Sequence, residues 1–417
     1  MERNSRQLRL GEQSSESGSS FPAVSQEKCV DPDADPVPRV AGSGPRVAIS
    51  LFTGAGGLDL GCERAGFMTR AAVECDPIAQ QTLLANAPRW LPRLRPEAMF
   101  SDIVTLNHDQ LLDAANLQAG EADLLHGGPP CTPFSKSGYW LAYKRAGEDP
   151  KASLLDNYVD ALRAVRPKAF LMENVYGLAY NNQNRPILER FIAAVRASGY
   201  SFDSKIILAA DHGVPQLRQR LLCVGIRGDL LDEPVELWGF EWPSDTHSGP
   251  HERRTDWDES LHPHVTAGEA ISNLPDNSPE TEEIVDGTYA DALREVPPGD
   301  NYLFLTAKRG HPKPKFKWRT RYWSFLLKLH PERPSPTIQG QPGPWVGPFH
   351  WENRRLRVGE LRRLMTFPDD YVVCGDRRDQ QLQLGNAVPP LLAARVAAGL
   401  RVQLDQLEAR GGLPLAA

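Results

Sequence analysis

The sequence predicts an α/β fold: an open sheet with helices on both faces, carrying a second, smaller and irregular lobe. Three observations predict it. Between residue 46 and about residue 230, short apolar strands alternate with stretches of helical spacing, the pattern of a parallel sheet wound by crossover helices. A Gly-rich turn follows the first strand directly, at the edge where open α/β sheets bind ligands. After about residue 232 the alternation stops, and Pro, Gly, Trp, His and acidic clusters run to about residue 348 without a clear period.

Residues 1–44 are rich in Ser, Gly, Pro, Asp and Glu and read as a disordered tail. Residues 47–52, apolar but for Ser50, read as a buried strand. Residues 71–74 form a short strand, and Pro77 opens a helix to about residue 87, because proline suits a first helical turn. Residues 123–126 read as a strand running into Gly127-Gly128-Pro129-Pro130. Leu154, Leu155, Tyr158, Val159 and Leu162 have helical spacing within 153–165. A strand over 169–173, a helix over 187–197 and a strand over 220–226 follow. Beyond the irregular lobe, 358–365 reads as a helix ended near Pro368, and 389–407 as the last helix. The expected domains are 45–232, 233–375 and a returning segment over 376–410.

A chain of 417 residues is long enough for two lobes. Hydrophobic residues make up 41% and charged residues 24%, an ordinary soluble composition. No apolar run reaches the ~18 residues of a membrane span, and Met1-Glu2-Arg3-Asn4-Ser5 has no apolar core behind it. The expected compartment is the cytoplasm. The net charge of −6 does not announce a nucleic-acid protein, but the footprint on nucleic acid is local. A run of Lys and Arg from 308 to 328 is interleaved with Phe316, Trp318, Tyr322, Trp323 and Phe325. The six cysteines form no C-x-x-C pair, which excludes a disulfide framework and a zinc cage and leaves room for a reactive thiol. His247, His251, His262 and His264 lie in a low-period stretch without a nearby Cys, so no metal is expected.

Several segments carry chemistry. In Phe52-Thr53-Gly54-Ala55-Gly56-Gly57-Leu58, the glycines permit positive φ and close ligand approach. Asp59 stands where a dinucleotide motif needs its third Gly. Glu74, about twenty residues on, suits ribose hydroxyls, and Asp102 with Ile103 suits an adenine edge and face. In Gly128-Pro129-Pro130-Cys131-Thr132-Pro133, prolines stiffen a loop around a thiol, and a nucleophile must be held near its target. Glu173-Asn174-Val175 ends a strand, where a buried carboxylic acid can protonate a ring nitrogen. Arg218 and Arg220 alternate at a strand start and so lie side by side, a pair suited to a phosphate, a base carbonyl or a thiolate. Taken singly, the same residues also read as a tight turn, an inert cysteine, a capping Glu and a surface Arg pair. Gly385-Asn386 reads as a turn capping the last helix.

These segments, with Arg363-Leu364-Met365-Thr366-Phe367-Pro368-Asp369-Asp370-Tyr371 and Gly385-Asn386-Ala387-Val388, occur in one order. Together they resemble the cytosine-5 DNA methyltransferase family over residues 46–405. The resemblance implies a Rossmann-like methyltransferase sheet with a smaller target-recognition domain. It implies S-adenosylmethionine as methyl donor and no metal. It places Phe52, Gly54, Gly56, Gly57, Leu58, Glu74, Cys75, Asp76, Asp102, Ile103 and Asn386 at the donor. Cys131 is then the nucleophile, Glu173 the partner of cytosine N3, and Arg218 and Arg220 the support of the catalytic pocket. Ser135, Lys136 and Thr337 are expected on the DNA, with a mobile loop over 135–152 bringing Tyr139, Trp140, Lys144 and Arg145. Thr132 departs from the Gln usual after the Cys, which leaves the chemistry intact and alters contacts to the loop or the DNA. The implied partner is duplex DNA, the enzyme a bacterial monomer with a restriction endonuclease acting on the same site. The rivals are a tRNA cytosine-5 methyltransferase, a catalytically silent DNA-binding regulator, and a nicotinamide dehydrogenase, which Asp59 disfavours.

Overall fold

The computed structural model describes residues 44–130, 150–180, 182, 184–250, 257–274, 281–319 and 322–411. Cys131, Ser135, Lys136, His251, the other expected loop contacts and nearly all of the N-terminal tail lie outside the described residues.

Chain order begins β1 (Arg46–Leu51), α1 (Gly57–Arg64), β2 (Phe67–Val73), α2 (Pro77–Trp90), β3 (Met99–Phe100), α3 (His108–Ala115) and β4 (Leu124–Gly127). It continues with α4 (Pro150–Val165), β5 (Ala169–Val175), α5 (Gly177–Tyr180), α6 (Arg185–Ala197), β6 (Asp203–Leu208), β7 (Gln216–Leu217) and β8 (Gln219–Ile226). One seven-stranded sheet has the order β3-β2-β1-β4-β5-β8-β6. Alternate residues of its strands face opposite sides. Ile49, Leu125 and Phe170 pack with Leu111 of α3, Tyr158 and Leu162 of α4, and Val195 of α6. Ala48, Leu124 and Leu171 pack on the other side with Leu58 of α1 and with Leu392, Val396 and Leu400 of the last helix. Helices therefore cover both faces.

The expectation of a parallel sheet holds for β1 through β5 and fails at the far edge, where β8 runs antiparallel to both β5 and β6. The connection from β6 to β8 is too short for a crossover helix, so the chain doubles back. β6 was missed because it is an edge strand whose first residues face water, which breaks the apolar run that marks a buried strand.

The irregular lobe has its own small core, in which Leu293, Tyr302, Leu305, Leu326 and Phe349 are buried. Tyr302, Phe316 and Phe325 meet edge to face at 5.4 to 5.7 Å. Phe316 and Phe325 of the basic run are thus packing residues, while Tyr322 and Trp323 stay 44% and 47% exposed. Lys308 sits over the Trp318 ring at 4.4 Å. The C-terminal part adds α7 (Val358–Leu364), α8 (Arg377–Asn386) and α9 (Pro390–Gly411). Leu361, Phe367, Tyr371 and Leu384 share a core with Ala55 of the glycine-rich turn and Leu60 of α1. No described helix is long and apolar enough to cross a membrane.

A charge network closes the sheet's opposite end. Arg46 reaches Asp123, Asp405 and Glu408 at 2.9, 2.5 and 2.7 Å, and Lys168 reaches Asp123 and Glu408 at 2.8 Å each. Hydrogen bonds from Arg46, then from Lys168, hold the Glu408 carboxyl down at about 2. A depressed folded-state value stabilises above the unfolded value and is lost as pH falls through the folded one. Glu408→Gln is expected to cost roughly 1–2 kcal/mol at pH 7, after discounting for solvent screening. The variant and the parent should converge in urea unfolding as pH falls from about 4.5 towards 2.

Candidate active site

The donor loop is built on positive backbone angles. Phe52, Gly54 and Gly56 have φ of 54°, 56° and 75°, which turns the chain sharply between β1 and α1. Glu74 pins this turn, accepting from the Gly54 N–H at 2.6 Å and the Asp76 N–H at 2.8 Å. Tyr371 donates its buried hydroxyl to the Ala55 carbonyl at 2.8 Å. Gly57 is obligatory for a different reason: a Cβ there would stand 2.1 Å from the Val388 carbonyl oxygen. Asp76 caps α2 through the Ile78 N–H at 2.8 Å. Asp102 folds its carboxylate onto the Val104 N–H and the Thr105 hydroxyl at 2.9 and 2.8 Å. Ile103 is buried beside it, and Leu58 lies in the core. Cys75 is exposed, yet partial burial, then Glu74 and Asp76, push its thiol up to about 11.

Gly385 and Asn386 are not a turn capping the last helix. They end α8, which Asp376 starts by accepting from the Arg378 and Asp379 N–H groups at 2.8 and 2.9 Å. A glycine is needed there because the Gly340 backbone nitrogen lies 2.4 Å from where a Cβ would stand.

A second group of residues gathers where β4 and β5 end. Asn174 donates to the Pro129 carbonyl at 2.8 Å and so holds the loop that leads into Cys131. Glu173 pairs with Arg220 of the antiparallel β8, Oε1 to Nε, at 2.8 Å. Glu173 Oε2 lies 3.2 Å from a Cβ built on Gly128. Burial pushes the Glu173 carboxyl up, and Arg220, then Arg218, pull it back. Arg220 lines a cleft of about 1440 Å³ with Gln219 and Tyr176 on the sheet side and Trp257, Trp323 and Thr337 on the smaller lobe. Thr337 donates its hydroxyl to the Leu217 carbonyl at 2.8 Å and keeps its acceptor capacity. Among the described residues no cluster of three or more His, Cys, Asp or Glu is arranged to hold a metal.

A pinned glycine loop and a buried acid beside a Pro-Pro loop thus lie at the same sheet edge. A family model for C-5 cytosine-specific DNA methylase matches residues 47–401. The chain belongs to the C-5 cytosine-specific DNA methylases. It is similar to the type II methyltransferase M.SacI of Streptomyces achromogenes, 45% identical over 87% of this chain and 94% of that one. It is 32% identical to the type II methyltransferase M1.HphI of Haemophilus parahaemolyticus, over 84% and 85% of the two chains. The fold matches the S. pombe Dnmt2 methyltransferase with a TM-score of 0.54 at 16% identity, over 87% of this chain and 99% of that one.

In this DNA methylase the two arginines part company. Arg220 faces Glu173, whereas Arg218 falls between β7 and β8 and is fully buried. Arg218 donates to the Gly385, Ala387 and Ile338 carbonyls at 2.9, 2.8 and 3.4 Å. It ties the segment around Thr337 and the end of α8 to the sheet. Arg218→Met leaves those carbonyls without donors, and a loss of about 2–4 kcal/mol in urea unfolding is expected. Gln216 does similar work, donating to the Leu364 carbonyl and accepting from the Ile338 N–H, each at 3.2 Å. Tyr371, Asn174 and Gln216 escaped sequence reasoning as supports. Their only signal is adjacency to the motifs, since their partners are backbone atoms far along the chain.

Proposed function

We propose that the enzyme methylates C5 of a cytosine flipped out of a specific duplex DNA sequence, through a covalent bond between Cys131 and C6, with S-adenosylmethionine as donor. The observation that carries this reading is the buried Glu173–Arg220 pair, whose arginine lines the cleft, beside the Asn174–Pro129 tether that precedes Cys131.

C5 of cytosine is a weak nucleophile. Addition of the Cys131 thiolate to C6 pushes the C5–C6 π electrons towards C5 and the N3–C4 unit. Glu173 gives its proton to N3 as that charge develops, while Arg220 holds the carboxyl in place. Bound S-adenosylmethionine supplies an electrophilic methyl group to the carbon so activated. Loss of the C5 proton to solvent then restores the C5–C6 double bond and expels the thiolate, while N3 returns its proton to Glu173. A duplex hides this edge of the base, so the cytosine must leave the stack.

The donor fits the glycine loop. Gly54 has open space where a side chain would project, and each Glu74 oxygen keeps acceptor capacity beyond its one N–H partner. Phe52, Gly56, Gly57, Leu58, Cys75, Asp76, Asp102, Ile103 and Asn386 complete the donor site. Residues 233–375 read the bases in the major groove, with Ser135, Lys136 and Thr337 on the DNA. The type II methyltransferase names of the relatives support a bacterial modification enzyme beside a restriction endonuclease for the same site, and we take it to act as a monomer in the cytoplasm.

Bisulfite sequencing of DNA from cells expressing the chain tests the reading. One short sequence should carry protected cytosine throughout. Methyl transfer to tRNA and none to duplex DNA would overturn it.

A further inference from the structure

One fully buried polar pair has no part in the chemistry above. Asp59, in the first turn of α1, and His126, in β4, are both fully buried. His126 Nε2 faces Asp59 Oδ1 at 3.8 Å. Neither carboxylate oxygen and neither ring nitrogen has a hydrogen-bond partner among the described residues. Buried polar atoms are almost always satisfied, so two complementary orphans facing each other need an explanation. Their places in the chain supply one. Asp59 lies two residues beyond Gly57, in the helix that the donor loop opens. His126 lies just before Gly127 and Gly128, in the strand that leads into the nucleophile's loop, paired in register with Ser50 of β1 and Leu171 of β5.

We infer that Asp59 and His126 share one proton across this gap and act as positioning residues, fastening the donor loop to the strand that delivers Cys131. The inference rests on the reading of both loops given above. A neutral carboxylic acid donates to a neutral imidazole nitrogen, and moving the proton gives carboxylate and imidazolium; either form pairs Asp59 Oδ1 with His126 Nε2. Burial favours the uncharged form of each group, pushing the Asp59 carboxyl up to about 7 and the His126 imidazole down to about 3. The groups around the carboxylate are the Ser50 and Thr69 hydroxyls, Glu74, Glu63, Cys62 and Tyr371. Among these groups none is a cation, so His126 is the partner that can balance Asp59.

The test uses the full chain, ¹⁵N-labelled at histidine, with S-adenosylhomocysteine as the binding probe. The His126 ring resonances are those missing from His126→Gln. Asp59→Asn should shift both of them, and unchanged resonances would overturn the inference. Asp59→Asn and His126→Gln should each weaken S-adenosylhomocysteine binding about tenfold, with the double variant no worse than the worse single one. Losses that simply add would also overturn it. If a single variant fails to fold, Asp59→Leu with His126→Phe removes both orphans together and keeps the volume. That protein should match the parent in Tm and still bind the probe about tenfold more weakly; parental affinity would overturn the inference. A parent that binds no S-adenosylhomocysteine would instead count against the donor reading.

Discussion

Replacing Cys131 with serine should lower methyl transfer to duplex DNA by about 10⁴-fold or more, with Tm and S-adenosylhomocysteine affinity unchanged. A hydroxyl occupies nearly the same space as a thiol but ionises far less readily, so addition at C6 fails while the fold persists. Three of the other five cysteines are poor substitutes. Cys62 and Cys223 are fully buried, and burial holds their thiols well above the ordinary value. Cys75 is held protonated at neutral pH, its thiol pushed up to about 11. Single-turnover kinetics with labelled donor measure the loss. Transfer within tenfold of the parent would mean that the nucleophile lies elsewhere.

Glu173→Gln is the second large effect, a fall of about 10²–10⁴ in kcat/KM. Glutamine keeps the shape and a donor N–H, but it has no proton to give. It also removes the anion that Arg220 meets at 2.8 Å, so Tm must be followed alongside rate. The pH profile separates the two consequences. Burial raises the Glu173 carboxyl, so the acid form needed for N3 survives to higher pH and is lost as pH climbs through that raised value. The parent should show this alkaline decline in kcat/KM, and Glu173→Gln should lack it. Equal declines in both would assign the ionisation to another group.

Much of the frame is written locally in the chain. The runs at 47–52 and 169–173 are buried strands because all but Ser50 and Glu173 in them are apolar. Pro77 starts α2 as its fixed φ dictates, and glycines mark the sharp turn at Gly54 and Gly56. What escaped is held by distant contacts or masked by polarity. β6 faces water over its first half, so its strand character resides in pairing with β8. α8 is rich in Arg, Asp and Gln and shows no apolar stripe. The separation of Arg218 from Arg220 follows from a break between β7 and β8 that alternation cannot reveal. Asp59 entered the sequence reading only as a mismatch to a dinucleotide motif. Asp59 lies in α1 and His126 in β4, and only the fold brings them together.

The sharpest test of the account is a covalent trap. Duplex DNA carrying 5-fluorocytosine at the recognition site, once methylated, cannot lose fluorine as it would a proton, so the bond to C6 persists. With S-adenosylmethionine present, the chain should become joined to one DNA strand in a single stoichiometric adduct. Peptide mapping should place the bond on Cys131. An adduct on any other residue, or transfer to ordinary cytosine with no adduct on the fluorinated strand, would contradict it.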